Sequence, residues 1–450
     1  MESRYDGIRK TAAAQLYRPR PPRATCLGDV RLGELGDGHD DHRRGLPDLF
    51  LDGRGTGKLD PETATQYFAA ATTFGMVIIA VLAPILGALA DTRPIKKKLL
   101  GGFMAIGALA VAGMFFIYKG DWILASALFI IANIGANGSF VFYDSLLPHI
   151  AGEDEVDRVS TAGYALGYVG GGILLLINLA WILQPGWFGF PTGPNLTSAQ
   201  ATLPARVSFL SVAVWWLVFS IPLFRRVPEP GLQEIAGTEG RNAIVETFVR
   251  LGHTFGELKR YKQGFLMLVA FLIYNDGIGT IFRMATIYGT EIGLSSSAMM
   301  GALVLVQFVG IPCAFAFGAI AGKVGAKKSI LFSLVVYTII SILAYRMKTV
   351  THFFLLAILV GLVQGGSQAL SRSLFSTLIP KRKSGEFFGF FAVVEKFAGI
   401  FGPLVFLVVS KVTGSSRGAI LSVIAFFVVG GVLLMMVDVE EGQRVAREEA

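Results

Sequence analysis

Eleven stretches of this chain are apolar for long enough to cross a lipid bilayer, and no other feature restricts the fold as much. They lie at about 67–90, 99–118, 123–147, 160–183, 207–224, 265–288, 296–321, 329–346, 352–378, 387–410 and 418–437. A hydrocarbon core roughly 30 Å thick takes about 20 apolar residues as a helix. Lipid offers no partner to an unpaired N–H or C=O, so helices and closed barrels alone can span it. These runs are too long, and too free of alternation, to be barrel strands. Composition agrees, since 16% of the 450 residues are charged, against about 25% in soluble chains. That balance argues against a soluble enzyme. The 54 glycines follow no Gly-X-Y period, and they suit close helix packing in lipid. Two cysteines, Cys26 and Cys313, make no disulfide framework. The fold class expected is an all-α polytopic membrane protein.

The net charge of +8 reports topology rather than nucleic-acid binding. Arg93, Lys96, Lys97 and Lys98 follow the first run, and Arg225 and Arg226 the fifth. Lys323, Lys327 and Lys328 follow the seventh, and Lys381, Arg382 and Lys383 the ninth. If the runs alternate, every cluster falls on one side, which the positive-inside rule makes cytoplasmic. The loop 149–158 lies there too and is acidic; the long loop 184–206, with the sequon Asn195-Leu196-Thr197, faces outward. A polar connector at 225–263 carries Ile244, Phe248, Leu251, Phe255 and Leu258 at helical spacing. It reads as an amphipathic helix on the inner membrane surface, or as a packed cytoplasmic linker. The resulting division is a polar N-terminal segment 1–62, a first transmembrane half 63–224, the linker 225–263, a second half 264–438 and a tail 439–450.

The two halves read as copies. Gly87-Ala88-Leu89-Ala90 returns 231 residues later as Gly318-Ala319-Ile320-Ala321, with lysines following both. Leu146-Leu147-Pro148 returns as Leu378-Ile379-Pro380, and Gly170 as Gly402, both at 232. Parallel six-helix halves are a transporter plan. The plan needs a twelfth helix near 34–57, where Asp37, His39, Asp40, Asp41, His42, Arg43 and Arg44 stand instead. Charges of that density do not span a bilayer. Read one base forward, with permitted codons, residues 29–54 give an apolar segment beginning Met-Tyr-Asp-Trp-Gly-Asn-Ser. The expectation is therefore a frameshift over 26–54 that hides the first helix and leaves eleven readable. A genuine polar extension is the other reading.

No cofactor or enzyme signature emerges. Gly53-Arg54-Gly55-Thr56-Gly57-Lys58 is too short for a phosphate loop and continues with Leu59. Gly167 to Gly172 lies inside a membrane run, and five scattered histidines make no metal cluster. Charges within the runs carry more information, because an ionisable group in a membrane helix is costly and is a functional candidate. Asp276, beside Asn275, sits in the middle of the sixth run; Glu395 and Lys396 sit in the tenth, and Arg372 in the ninth. Two acids and two bases suggest pairing across a polar cavity, and a carboxylate so placed suits proton uptake and release. Structural ion pairs are the plainer alternative. Asn133 and Asn137 on run three, and Gln364, Gln368 and Ser371 on run nine, lie on repeat-related helices and can line the same cavity, with Gln307 joining them. Tyr164 and Tyr168, one turn apart, read as a substrate wall or as packing. Asp144 ends its helix near the Asp91/Arg93 loop, where a charge network would latch an inner gate.

Gly87-Ala88-Leu89-Ala90-Asp91, with Arg93 and the lysines after it, resembles the loop signature of the major facilitator superfamily. It departs from that pattern at Pro94 and Ile95, and Gly322 replaces the acid in the second copy. Phe142 to Pro148, Gly163 to Gly172, Tyr274-Asn275-Asp276-Gly277 and Gln364 to Ser373 together resemble the vacuolar amino-acid effluxer branch and its bacterial relatives, over about 60–440. The forward-frame Tyr-Asp-Trp-Gly-Asn-Ser also resembles that branch's first helix. The resemblance implies twelve helices and alternating access, with amino acids among the substrates of fungal members. The expected activity is secondary transport of a small polar solute across the cytoplasmic (inner) membrane. A coupling proton would ride on Asp276 or Glu395. Arg372 and Lys396 would meet a carboxylate or other anion, and Gly87, Asp91, Arg93, Asp144 and Gly318 would form the gating loops. The partners expected are the bilayer, the solute and a proton, with no nucleic acid. A non-transporting receptor or scaffold, or an inactive remnant, is the alternative; an intramembrane enzyme lacks its nucleophile and base.

Overall fold

The computed structural model describes residues 61–118, 121–231, 260–291, 293–397, 399, 401–413 and 416–448. The 26–54 segment, the Gly53–Lys58 loop and the linker helix expected around 244–258 lie outside the described residues. The described helices are α1 (Pro61–Thr92), α2 (Lys96–Gly113), α3 (Trp122–Ser145), α4 (Val156–Leu183) and α5 (Leu203–Arg226) in the first half. The second half contains α6 (Lys262–Glu291), α7 (Ser296–Val324), α8 (Ala326–Tyr345), α9 (Val350–Thr377), α10 (Ser384–Phe397), α11 (Phe401–Thr413), α12 (Ser416–Ser422) and α13 (Ile424–Met435). A final helix, α14 (Val439–Glu448), follows. Among the described residues there is no strand.

Ten segments among them are long and apolar enough to cross a bilayer: α1 to α9 and the stretch through α12 and α13. Their starts follow local chemistry. Ser295 and Thr349 cap α7 and α9 by accepting from the N–H groups of Ala298 and His352. Gly325 links α7 directly to α8 with φ +89°, a conformation that suits glycine.

The tenth apolar run was expected as one helix over 387–410. The structure divides it into α10 and α11, with Gly399 in a turn between them. The cause is Pro403. It has no N–H, so the carbonyl four residues back, at Gly399, has no helical donor. Glycines at 399 and 402 weaken the helix further. At the other end of the chain, the stretch read as a tail is the helix α14, with Gly442 and Ala446 buried beneath it.

Each half packs around its own core. In the first, α2 lies on α3 and α5, and α1 lies on α3. Gly107 and Gly135 bring α2 and α3 together at backbone distance, with the Trp216 ring against Gly107. Without a hydrophobic drive between helices in lipid, such small residues set the contact. In the second, α7 and α8 lie on α9, and α6 on α13. Its core is aromatic: Phe271 stacks on Phe391 at 4.5 Å, and Tyr337 on Phe427 at 5.4 Å. Large apolar side chains such as Leu109, Val214, Phe332, Val335 and Val428 point outward, as lipid-facing surface should. The halves meet where α1 crosses α10, α4 crosses α7, and α9 reaches α4.

Candidate functional site

One buried ion pair ties the halves together. Arg372 on α9 is 2% exposed, and its Nη1 donates to Asp144 Oδ1 on α3 at 2.6 Å. Its Nε and Nη2 donate to Ser160 Oγ on α4 at 3.1 and 2.9 Å, and Nη2 also reaches the Ser160 carbonyl at 3.2 Å. Ser160 Oγ returns a hydrogen bond to the Ala369 carbonyl at 2.6 Å. The rings of Tyr164 and Tyr143 stand 5.1 and 5.7 Å from the guanidinium carbon. A charge this deep is stable only when paired and hydrogen-bonded, and each nitrogen of this guanidinium donates at least once.

A second tie lies beside it. Asp91, at the end of α1, accepts from the N–H groups of Gly385 and Glu386 at 2.9 and 2.8 Å. It is therefore the N-terminal cap of α10, supplied by the opposite half, where the helix dipole favours a negative charge. Lys96 pairs with Asp91 at 2.8 Å and donates to Ser384 Oγ at 2.7 Å. His149 Nε2 lies 3.0 Å from Ser384 Oγ and 3.2 Å from Lys96 Nζ. Gly87 permits this crossing, because a Cβ there would strike the Gly385 carbonyl. Its repeat partner Gly318 does the same at the second crossing, where a Cβ would strike Thr161. The second copy has Gly322 in place of the acid; nearby, α9 is tied to α4, where Ser373 Oγ donates to Asp157 in its first turn. Arg93 stays exposed, outside both ties. All these contacts lie at the ends that carry the basic clusters.

Deeper along α6 and α9 the contacts are between helices of the second half. Gln368 Nε2 donates to Asn275 Oδ1 at 2.7 Å, and the Tyr274 hydroxyl meets Ser371 Oγ at 2.6 Å. Asp276 is 1% exposed. Its Oδ2 accepts from the Gly402 N–H at 2.8 Å, while Oδ1 meets no donor in hydrogen-bond geometry. Two turns along α6, Arg283 donates to the Gly399 carbonyl. Asp276 and Arg283 thus serve the two sides of the break in the tenth run: one takes the orphan N–H of α11, the other the carbonyl that Pro403 cannot serve.

Other expected positions are more dispersed. Gln364 and Glu395 are half-buried on α9 and α10. Lys396 lies on α10, its side chain outside the described residues. Asn137 and Asn133 each donate back to their own helix, four residues earlier, at 2.8 and 3.0 Å. Tyr168 wedges against Gly310 and Gly365. An apolar cavity of about 100 Å³ opens inside the second half, bordered by Thr280, Met299, Leu303, Phe353 and Phe406. No group of acids, histidines and cysteines among the described residues has the makings of a metal site.

Sequence reading therefore singled out Arg372 and Asp144 but not their partnership; it placed Lys96 in the loop motif without its pairing, and it missed Ser160, His149, Ser384 and Arg283. Arg283 was visible as a charge inside the run 265–288, and Ser384 as a capping residue type before Gly385.

Comparison with known proteins bears on most of the chain. Residues 63–447 match the family model described as vacuole effluxer Atg22 like. The chain is 36% identical over 386 residues to the MFS-type transporter YxiO of Bacillus subtilis, covering 86% of this chain and 88% of the relative. It is 26% identical over 465 residues to autophagy-related protein 22 of Coccidioides immitis, covering 86% and 75%. Among solved structures it is similar to the proton:xylose symporter XylE, with a TM-score of 0.67, 13% identity and 98% of each chain covered. It is also similar to FucP in its outward conformation, with a TM-score of 0.64, 12% identity and 95% and 97% covered. At these identities the two structures speak for the fold alone.

Proposed function

The chain belongs to the vacuole effluxer Atg22-like family of major facilitator transporters, and from that premise we propose that it moves a small polar solute across the cytoplasmic membrane by alternating access, driven by protons. Amino acids are the class to test first. The description of the family points to a vacuole effluxer, and the bacterial relative suits the inner membrane of a bacterium.

The observation that carries this reading is the buried Arg372–Asp144 pair between the halves. With Asp91 capping α10 from across the interface, it closes the side that the basic loops mark as cytoplasmic. Two halves joined at one end by specific, breakable polar contacts have the makings of a two-state device. Opening inward would separate α9 from α3 and α4, and α10 from α1. The solute would lie above the latch, near Asn275, Gln368, Gln364, Tyr164 and Asn137. Asp276 would carry the coupling proton, with Glu395 the second choice.

Purified protein in vesicles, with radiolabelled amino acids and an imposed pH gradient, tests the coupling. Asp276→Asn should abolish pH-driven accumulation while leaving solute exchange in place. Unchanged accumulation in that variant would remove Asp276 from the mechanism.

A further inference from the structure

Arg206, at the start of α5, is a second buried guanidinium, 4% exposed. Arg372 is matched by Asp144, but no acid among the described residues pairs with Arg206. Its Nε donates to the Phe115 carbonyl at 2.5 Å, in the turn Met114–Phe116 that ends α2. That contact answers the C-terminal end of α2, where a cation is favoured. It uses one of the five N–H donors of an arginine. The other four, on Nη1 and Nη2, have no acceptor among the described residues, and neither nitrogen is fully enclosed. The ring centres of Tyr118 and Phe115 stand 4.1 and 4.7 Å from the guanidinium carbon. With Nε taken and two rings against the guanidinium, the Nη pair is left as an open fork, the geometry that takes two oxygens of one anion. Asp121, the acid of the adjoining turn, is exposed and accepts from the Tyr118 N–H at 3.0 Å.

The surroundings point to the source of the anion. α5 finishes on Arg225 and Arg226, so Arg206 lies at the end of the bundle away from the basic loops. Trp187, Phe188, Phe116 and Tyr118 are exposed at that end, as rings are where a bilayer meets water. From Arg206, Leu210, Val214, Leu217 and Ile221 follow at spacings of three or four, which puts them on one face of α5, and all four are exposed. On α2, packed beside α5, Ile106 and Leu109 are exposed as well. The stripe on α5 runs about 22 Å by the rise of a helix, more than the hydrocarbon depth of one leaflet, about 15 Å. An open guanidinium at headgroup depth thus heads a surface made for acyl chains. A free inorganic anion would use the fork and nothing of the stripe.

We propose that the outer ends of α2 and α5 hold one anionic phospholipid. Its phosphate sits on the Nη pair of Arg206, and its acyl chains lie along Leu210, Val214, Leu217 and Ile221. A headgroup with one net negative charge balances the guanidinium, whereas a choline headgroup brings its own cation and does not. The site requires that the chain spans a membrane and is independent of which solute it carries.

Native mass spectrometry of the purified full chain, with phosphatidylglycerol, phosphatidylcholine or inorganic phosphate added in turn, counts what is retained. The unmutated protein should hold one phosphatidylglycerol about tenfold more tightly than phosphatidylcholine, and inorganic phosphate should not displace it. Arg206→Gln should erase the preference. Arg206→Lys, which keeps the charge but not the fork, should keep part of it. Arg225→Gln, exposed at the other end of the same helix, should leave it intact. Equal retention of the two lipids by the unmutated protein, a result that depends on no variant folding, would overturn the proposal. So would an equal loss of preference in Arg206→Gln and Arg225→Gln, which would reduce the effect to general surface charge. Displacement of the lipid by inorganic phosphate would overturn it too, in favour of a free anion.

Discussion

Arg372 and Asp144 lie 228 positions apart in sequence and 2.6 Å apart in space, one on each half of the transporter. The pair is buried, and removing one partner of such a pair costs about 3–5 kcal/mol because the other charge is left uncompensated. That cost falls on the cytoplasm-closed state alone if the halves separate to open inward. We predict that Asp144→Asn opens the cytoplasmic side. A cysteine placed at Ser376, buried on the same helix as Arg372, should react with a maleimide from the cytoplasmic side faster in that variant than without it. The exchange Asp144→Arg with Arg372→Asp should recover part of the protection. Equal labelling in all three would deny the pair its role.

The glycines at the crossing of α1 and α10 make a sharper contrast. Gly87→Val places side-chain atoms where the Gly385 carbonyl lies, whereas a Cβ at Gly322 meets nothing within 4 Å. Gly87→Val should therefore abolish the closed state and transport with it. Gly322→Ala should leave transport unchanged and gain about 0.5–1 kcal/mol of stability, since glycine inside a helix is unfavourable. Flux and melting temperature of the two variants check this directly.

The break in the tenth run predicts a rescue. Arg283→Ala leaves the half-buried Gly399 carbonyl without this donor, at a cost of about 1 kcal/mol, the low end for an unsatisfied polar group. Adding Pro403→Ala restores an N–H four residues on, so the double variant should regain most of the lost thermal stability. If the two losses simply add, Arg283 is not serving the carbonyl that Pro403 abandons.

Much of this architecture is legible in the residues themselves. Run length gave ten spanning helices among the described residues, because that signal is local; the clusters after runs one, five, seven and nine supply the direction that the proposed function takes up. The split of the tenth run was also written there, in Gly399 and Pro403, but a hydropathy count is blind to a missing N–H. The latch was legible in part: Asp144 was expected beside the Asp91/Arg93 loop, and its partner is Arg372 instead. Arg372 and Asp144 were each conspicuous as charges in helices, yet their pairing depends on how two halves dock. Asp276 stood out for its burial cost, while its partner, the N–H of Gly402, carries no side chain by which a sequence could announce it. Asp91 was found through a repeat motif whose second copy lacks the acid, having Gly322 in its place.

The polar segment before α1 predicts something about the gene. If the twelve-helix plan holds, resequencing codons 20–60 should give an in-frame apolar helix across 29–54. A confirmed polar reading would favour a receptor or inactive remnant over a working carrier.

The claim at the centre of this account is that the halves alternate about the cytoplasmic closure made by Arg372, Asp144 and Asp91. Distances between spin labels test it most directly. One pair of sites is Lys98 and Lys381 on the cytoplasmic side; the other is Leu183 and Arg346 on the outer side, and all four are exposed. In lipid, adding transported solute or lowering the pH should lengthen the cytoplasmic distance in part of the population and shorten the outer one in step. A single unchanging distance on both sides, under every condition in which flux is measured, would contradict the account.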